Sequence, residues 1–371
     1  MNIAQIKKLA GRVLAVPIIR KSINRFQLAL YSILSLSRWL AVPFHLIFTR
    51  AFDREIFAYT NAIRQYNRNV LDVLTTNVVI RRNIHRLEKG LIMEDRRPVF
   101  ALDYLQETVE TYAAVMQNPR SVNLEISELH WAHDVLGEFF AVTDSAHPLI
   151  ARMKSKFESL PRPAEVDKSE RFAPYERRQR DDLQVPSYAE FMDLSLKRRS
   201  VRWFQDKPVP RELVDKALLA AALAPSACNR QPFHYRIFDD PRLAGEVARI
   251  PFNTAGFADN LPMVIVVVGD LSNFFSPRDR HVIYIDAALS IMSFLYALET
   301  LGLSSVTINC PDFGIIENRF KKKLHLKSHE RPVLMIGVGY AKSEGKIPYS
   351  NKKPLELLRS YNDLGDESGN N

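Results

Sequence analysis

Arg198, Arg199, Ser200 and Arg202 fall within five positions of the stretch LKRRSVRWF. Three guanidinium forks and a hydroxyl are what a phosphate monoester requires, because each oxygen takes charge-assisted bonds and a bidentate arginine fixes the group's direction. A predicted helix ends just before them, and its exposed carbonyls favour one or two cations there without any ligand. They do not account for three cations and a hydroxyl, so a phosphate site is the sharper expectation. A second group follows in LAPSACNRQPFHY, where Pro225 stops a helix and Ser226, Asn229 and Gln231 put neutral donors and acceptors on one irregular loop. Such groups suit a flat heterocycle carrying carbonyls and ring N–H groups. Ordinary turn chemistry between a helix and a strand would explain either half alone.

The remaining candidates carry less. GVGY, residues 337–340, has Lys342 where the third glycine of a dinucleotide fingerprint would fall, and it sits in a strand, so its glycines are expected to allow close packing. His130 with His133, and His325 with His329, have helical spacing but no third ligand nearby, and no metal is expected. NIHRLEKGLIMEDRRP, residues 83–98, reads as a solvated helix end with intrahelical ion pairs, anion binding at a Gly90 turn being the alternative. Cys228 and Cys310 stand in no zinc-like spacing and favour a reducing interior; Cys228 is expected to be an ordinary thiol.

The elements that must position these residues show an α/β order. Ser187 and Glu190 form a capping box that opens a helix running to about Arg198. A second helix, RELVDKALLAAALA, ends at Pro225. There follow strands FHYRIF and MVIVVVGD, the apolar helix VIYIDAALSIMSFLYALETL ended by Gly302, strand SSVTIN, helix IIENRFKKKL and strand PVLMIGVGY. Upstream, VLDVLTTNVVI, ALDYLQETVETYAAVM and ELHWAHDVLGEFFAV are helical in period and almost free of glycine. The expected domains are therefore a basic apolar segment 1–52, a helical region 53–160, a Pro- and charge-rich linker or arm 161–186, and a chemistry-bearing domain 187–371, which ends in the polar tail GDESGNN.

Taken together, R-R-S-x-R with a following aromatic, P-V-P, an Ala-rich helix, A-P-S-x-x-N-x-Q-P and an apolar helix leading to L-G-L resemble the FMN-dependent nitroreductase family, over residues 187 to about 360. The resemblance implies a three-layer α-β-α sandwich with a mixed central sheet and a homodimer with FMN at the subunit interface. Arg198, Arg199, Ser200 and Arg202 then look like phosphate and ribityl contacts. Pro225, Ser226 and Asn229 look like ring contacts offered by the partner subunit, with Gln231 supporting the loop. Thr307 and Asn309 match the segment passing the flavin N5 edge, and Lys352 falls where the family often has an arginine on the phosphate. The flavin would carry the chemistry with no catalytic side chain, moving hydride from NAD(P)H to a small organic acceptor. A flavin dehydrogenase run from the substrate side and a non-catalytic membrane-associated flavoprotein scaffold are the rival functions. Residues 239–281 leave little room for a helical lid, so the 54–157 helices or the 160–186 arm are expected to shape the substrate pocket.

The net charge of +9 would suggest nucleic acid if it were spread over the chain, but eight of the 51 basic residues lie in residues 1–52, which hold no Asp or Glu. The remainder carries 43 basic against 42 acidic residues, and no nucleic-acid partner is expected. Phe26 to Phe48 is apolar with Arg38 at its middle. About ten strong apolar residues supply roughly −3 to −6 kcal/mol of insertion free energy and a central arginine costs about 2.5 to 3.5, with Pro43, His45 and Gln27 adding more. The sum near zero favours a helix or helix pair lying in a membrane interface, with spanning the membrane and burial against protein as the alternatives. The location expected is cytoplasmic, with contact at the inner membrane face.

Overall fold

The computed structural model describes residues 17–50, 52–72, 78–118, 126–163 and 171–364. Parts of the sequence expectations at 1–16, 73–77, 164–170 and the tail GDESGNN lie outside the described residues. The chain divides into two compact units, Met1–Asn61 and Ala62–Asn371.

In the first unit α1 (Pro17–Leu34) and α2 (Arg38–Phe44) are followed by a π-helical turn, His45–Thr49, and the start of α3 (Asp53–Leu71). Phe26 to Phe48 is thus not one helix. Ser37, with extended φ of −156°, caps α2 by accepting from the Trp39 N–H, and this restarts the chain in a new direction. Large apolar side chains stay exposed on both helices, among them Ile18, Phe26, Leu28, Trp39, Ile47 and Phe48.

The second unit holds two kinds of core. α4 (Val78–Leu91), α5 (Leu105–Met116), α6 (Ile126–Val142) and α7 (Pro148–Glu158) enclose an all-helical cluster around Leu87, Leu105, Tyr112, Leu136 and Phe139. Gly90 lies within α4 rather than at a turn, and an added Cβ would meet the Phe100 ring. His85 and Glu88 pair within the helix at 3.3 Å, and other contacts reach separate segments: Arg86 reaches Asp103 at 3.0 Å and stacks on Tyr104, and Trp131 Nε1 donates to Glu88 at 2.9 Å. The described part of the arm runs along α6, with the Phe172 N–H donating to Asp134 at 2.9 Å and Arg171 paired with Glu138.

Beyond the arm come α8 (Tyr188–Lys197), α9 (Arg211–Ala222), β1 (Phe233–Phe238), α10 (Pro241–Ala248), β2 (Met263–Asp270), α11 (Val282–Thr300), β3 (Ser304–Asn309), α12 (Gly314–Leu324) and β4 (Glu330–Gly339). The expected capping box is present: the Glu190 N–H donates to Ser187 Oγ and the Ser187 N–H donates to Glu190. The strands form one sheet in the order β1-β2-β4-β3 with antiparallel neighbours throughout; the parallel component is a single bridge between Ser200 and Ser305. Central β2 is buried on both faces. Val264, Val266 and Val268 pack under α10 and α12, and Ile265 and Val267 pack under α9 and α11. These are the three layers of an α+β sandwich, carrying a helical N-terminal region. Each of these valines and isoleucines contributes about 1.5–3 kcal/mol by leaving water.

Candidate functional site

Residues 200–205 are laid along the sheet by backbone bonds. The Val201 N–H donates to the Ser305 carbonyl at 2.9 Å, the Gln205 N–H to Tyr340 at 2.8 Å, and the Lys342 N–H to Trp203 at 3.0 Å. Phe204 is fully buried, and the Asn260 side chain brackets its backbone by accepting from the Phe204 N–H and donating to its carbonyl. A Cβ at Gly339 would lie 2.6 Å from Pro262 and 2.8 Å from the Phe204 ring, so the last strand's glycine is what lets this segment seat.

That seating places the cationic residues. Arg199 Nη2 donates to the carbonyl of Pro348 at 3.0 Å and also to that of Tyr349, which brings the tail carrying Lys352 beside the start of the knot. Arg198 closes α8 and, with Lys197, draws the pKa of buried Glu299 partly back down against burial, which raises it. Ser200 bridges to Ser305, and along the same strand Thr307 and Asn309 are exposed. Arg202 Nη1 donates to the Ser200 carbonyl at 3.5 Å, and its guanidinium lies over the Phe257 ring at 5.7 Å. The adjacent Trp203 lines a cavity of about 580 Å³ with Arg249, Phe252 and Phe257.

Pro225, Ser226, Asn229 and Gln231 are brought together in one tight loop. Cys228, Asn229 and Gln231 have φ of 52°, 49° and 48°, left-handed backbone that costs on the order of 1–3 kcal/mol at each non-glycine position. Several bonds offset it. The Gln231 N–H donates to Ser226 Oγ at 3.1 Å, Gln231 Nε2 to Asn229 Oδ1 at 3.0 Å, and the Ala227 N–H to Asp286 Oδ2 at 3.0 Å. Asp286 is buried in α11, and burial raises its pKa, while the Ala227 N–H and the charge of Arg230 pull it partly back. Arg230 itself is buried over the Phe274 ring.

The loop and α8, the helix that the knot follows, both meet α11. Ala227 meets it at Asp286, whereas α8 meets it at Tyr296 through Ser195 and Phe191. Those positions are about 15 Å apart by helical rise. From just before Asp286, Ile285, Leu289 and Met292 form an exposed apolar stripe at helical spacing. None of the residues of α8 is buried, although Tyr188, Phe191 and Leu196 are large and apolar. The residue chemistry fits FMN: cations and a hydroxyl for a phosphate tail at one patch, neutral hydroxyl and amide groups for a ring at the other. Two residues that sequence reasoning missed complete the loop, Asp286 and Arg81, whose Nη1 donates to the Asn229 carbonyl at 2.9 Å. A lone Asp within the apolar VIYIDAALSIMSF was a readable signal for the first. Nothing local marked the second.

The family model described as Nitroreductase family matches residues 196–253 and 242–340. An NADH dehydrogenase of Thermus thermophilus is 30% identical over 196 residues, covering 44% of this chain and 92% of that protein. The chain belongs to the nitroreductase family. Another family relative is human iodotyrosine deiodinase 1, 25% identical over 200 residues, 46% of this chain and 67% of the deiodinase. A solved FMN-dependent nitroreductase from Clostridium difficile has 24% identity, with 47% of this chain and 99% of that one covered at a TM-score of 0.41. The residues matched by the family model begin at the end of α8 and finish at the end of β4, so α1 to α7 lie outside them.

Proposed function

We propose that this chain is an FMN-dependent oxidoreductase, working as a homodimer, that takes hydride from NAD(P)H and delivers it to a small organic acceptor. The observation that supports this best is that the strained neutral loop and α8, the helix that ends at the cationic patch, meet α11 at positions about 15 Å apart by helical rise, with exposed apolar residues along the same helix. A second copy packed on that stripe would bring the loop of one subunit toward the knot of the other. Arg198, Arg199 and Ser200, with Lys352 on the tail, hold the phosphate; Lys352 supplies charge without the fork of an arginine. Arg202, seated on Phe257, supports the segment from behind. Pro225, Ser226 and Asn229 meet the ring, Gln231 fixes Asn229 and Ser226, and Thr307 and Asn309 line the exposed side of β3. FMN, once held, supplies hydride acceptance and return at N5. The protein's part is to orient the ring and exclude water, and no side-chain acid or base is assigned.

Purified full-length protein should carry stoichiometric FMN with its visible absorption, and NADH or NADPH should bleach it in the absence of oxygen. Leu289→Arg, which puts a charge in the stripe, should give monomers that lose the cofactor. Protein that stays colourless with added FMN would overturn the reading in favour of a non-catalytic scaffold. Bleaching by an organic substrate but by neither nicotinamide would turn it into a substrate-side dehydrogenase. The deiodinase relatives favour a second reading, reductive removal of halide from an aromatic ring, and halide release from iodinated phenols tests it.

For residues 17–52 we propose peripheral contact with the inner membrane face, which the exposed Phe26, Trp39 and Phe48 beside Arg20, Lys21, Arg25 and Arg38 support. Full-length protein should float with anionic liposomes, and a version lacking residues 1–52 should not. Equal flotation would reject the contact.

A further inference from the structure

The loop 226–231 is braced by a helical region that lies outside the residues matched by the family model. Arg81, near the start of α4, sends Nη1 to the Asn229 carbonyl at 2.9 Å and pairs through Nη2 with Glu128, a buried carboxylate on α6. The fork therefore ties the loop's left-handed turn to two helices of the all-helical core at once. The same region makes a second contact close by: Tyr66, buried on α3, takes a bond from Arg82 and sets its ring 6.2 Å from that of Phe275. Phe275 follows Phe274, on which Arg230 of the loop is stacked. Asn229 is thus approached from the α4 side by a guanidinium, while Ala227 is held from the α11 side by Asp286.

We infer that Arg81 is a positioning residue for this loop, and that through it the helical region sets how tightly the cofactor is held. The inference rests on the FMN reading above for its consequence, and on the geometry alone for the brace. A charged hydrogen bond onto a strained carbonyl favours the one conformation in which Ser226 and Asn229 would meet the ring, so less ordering remains to be done when FMN binds. Lysine at 81 would keep the charge and one bond but could not bridge Asn229 and Glu128 with a planar fork.

The test uses the full-length protein with Arg81→Ala, Arg81→Lys and, as a neighbour on α4 that bonds Asp103 and stacks on Tyr104 instead of the loop, Arg86→Ala. Two quantities are measured: FMN affinity, by flavin fluorescence on titrating the cofactor-free protein, and amide hydrogen exchange of residues 226–231. Loss of a charge-assisted bond predicts FMN binding weakened about tenfold or more in Arg81→Ala, with loop exchange faster by a similar factor. Arg81→Lys should be intermediate, and Arg86→Ala within about twofold of the parent on both measures. If Arg81→Ala fails to fold, Arg81→Lys alone decides, by faster loop exchange at an unchanged melting temperature. Loop exchange unaltered in a folded Arg81 variant overturns the brace, whatever happens to FMN. Faster exchange with unaltered FMN affinity overturns the link to the cofactor. A parent protein that takes up no FMN defeats the functional reading instead, and the exchange experiment still judges the brace.

Discussion

The knot at 198–202 and the loop at 225–231 are assigned to two ends of one molecule, and they are built on opposite plans. The knot uses backbone that any residue adopts: none of its φ angles is positive, and it is pinned to the sheet by main-chain bonds at Val201 and, just beyond, at Trp203 and Gln205. Its chemistry therefore sits in side chains that the fold does not need. The loop holds three non-glycine residues in left-handed backbone and is kept there by Asp286, Ser226 and Arg81. Its chemistry sits in its shape, and the shape belongs to the supports. The first kind of site can be emptied without disturbing the protein; the second fails together with what holds it.

The largest expected effect tests the first half of that contrast. Arg199→Ala should weaken FMN binding by about 1.5–3 kcal/mol, a loss of roughly ten- to more than a hundredfold, while the melting temperature of the cofactor-free protein stays within about 1 °C. Titration and calorimetry on one sample check both. A fall of several degrees would mean that the Arg199 bonds to Pro348 and Tyr349 carry the fold, and the contrast would break.

Asp286→Ala should do what Arg199→Ala does not. It leaves the half-buried Ala227 N–H unpaired and Arg230 without its nearby carboxylate, so stability should drop by about 1–3 kcal/mol, roughly 2–4 °C for each kcal/mol in a unit of this size. FMN affinity should fall with it. Calorimetry showing an unshifted transition would remove Asp286 from the supports.

Glycine gives a smaller effect, of opposite sign at the two places. Cys228→Gly removes a side chain from φ of 52° and should be neutral or stabilising by up to about 1 kcal/mol. Ser200→Gly, where the backbone is ordinary, should cost about 0.5–1 kcal/mol in chain entropy. Denaturant midpoints that move the same way for both would mean that loop strain is not a term in the balance.

The two plans also explain what the sequence made readable. The knot's residue types suggested a phosphate because their chemistry is in the side chains, and the sheet it lies along was readable from its apolar runs, with β1 and β2 spanning FHYRIF and MVIVVVGD as expected. The loop's composition suggested a heterocycle, but its three positive φ angles are held by bonds to residues 59 and 148 positions away. Such partners leave no local trace. α10 was legible and missed: Asp240 accepts from the Leu243 N–H and Pro241 opens the helix, a capping signal hidden by the shortness of the apolar run. Arg202 was assigned by type to the phosphate, and nothing local marked its contact with the ring of Phe257, in a loop 55 residues on.

The smallest effect sharpens the comparison through pH, since each region keeps a buried carboxyl: Asp286 under the loop and Glu299 beside Lys197 and Arg198. Burial raises both pKa values, and nearby cations lower each of them in part. A carboxyl whose folded pKa lies above its unfolded one holds its proton longer in the folded state. Its contribution is present below the unfolded pKa and is lost as pH rises through the folded one. Asp286→Asn and Glu299→Gln should therefore each flatten the decline in stability on the alkaline side of the carboxylate range, measured as the difference in melting temperature from the parent across that window. Exposed Asp239 and Glu246, whose pKa values are lowered by hydrogen bonds from Arg211 and Lys323, act in the other direction at lower pH and cancel in that difference. Arg198→Ala then separates the two regions. It removes a cation that lowers the Glu299 pKa, so the Glu299 part of the decline should move to higher pH while the Asp286 part stays in place. If neither part moves, Arg198 is electrically as independent of the fold as the comparison makes Arg199. If both move, the knot and the loop share one electrostatic support along α11, and the two plans are less separate than their backbones make them.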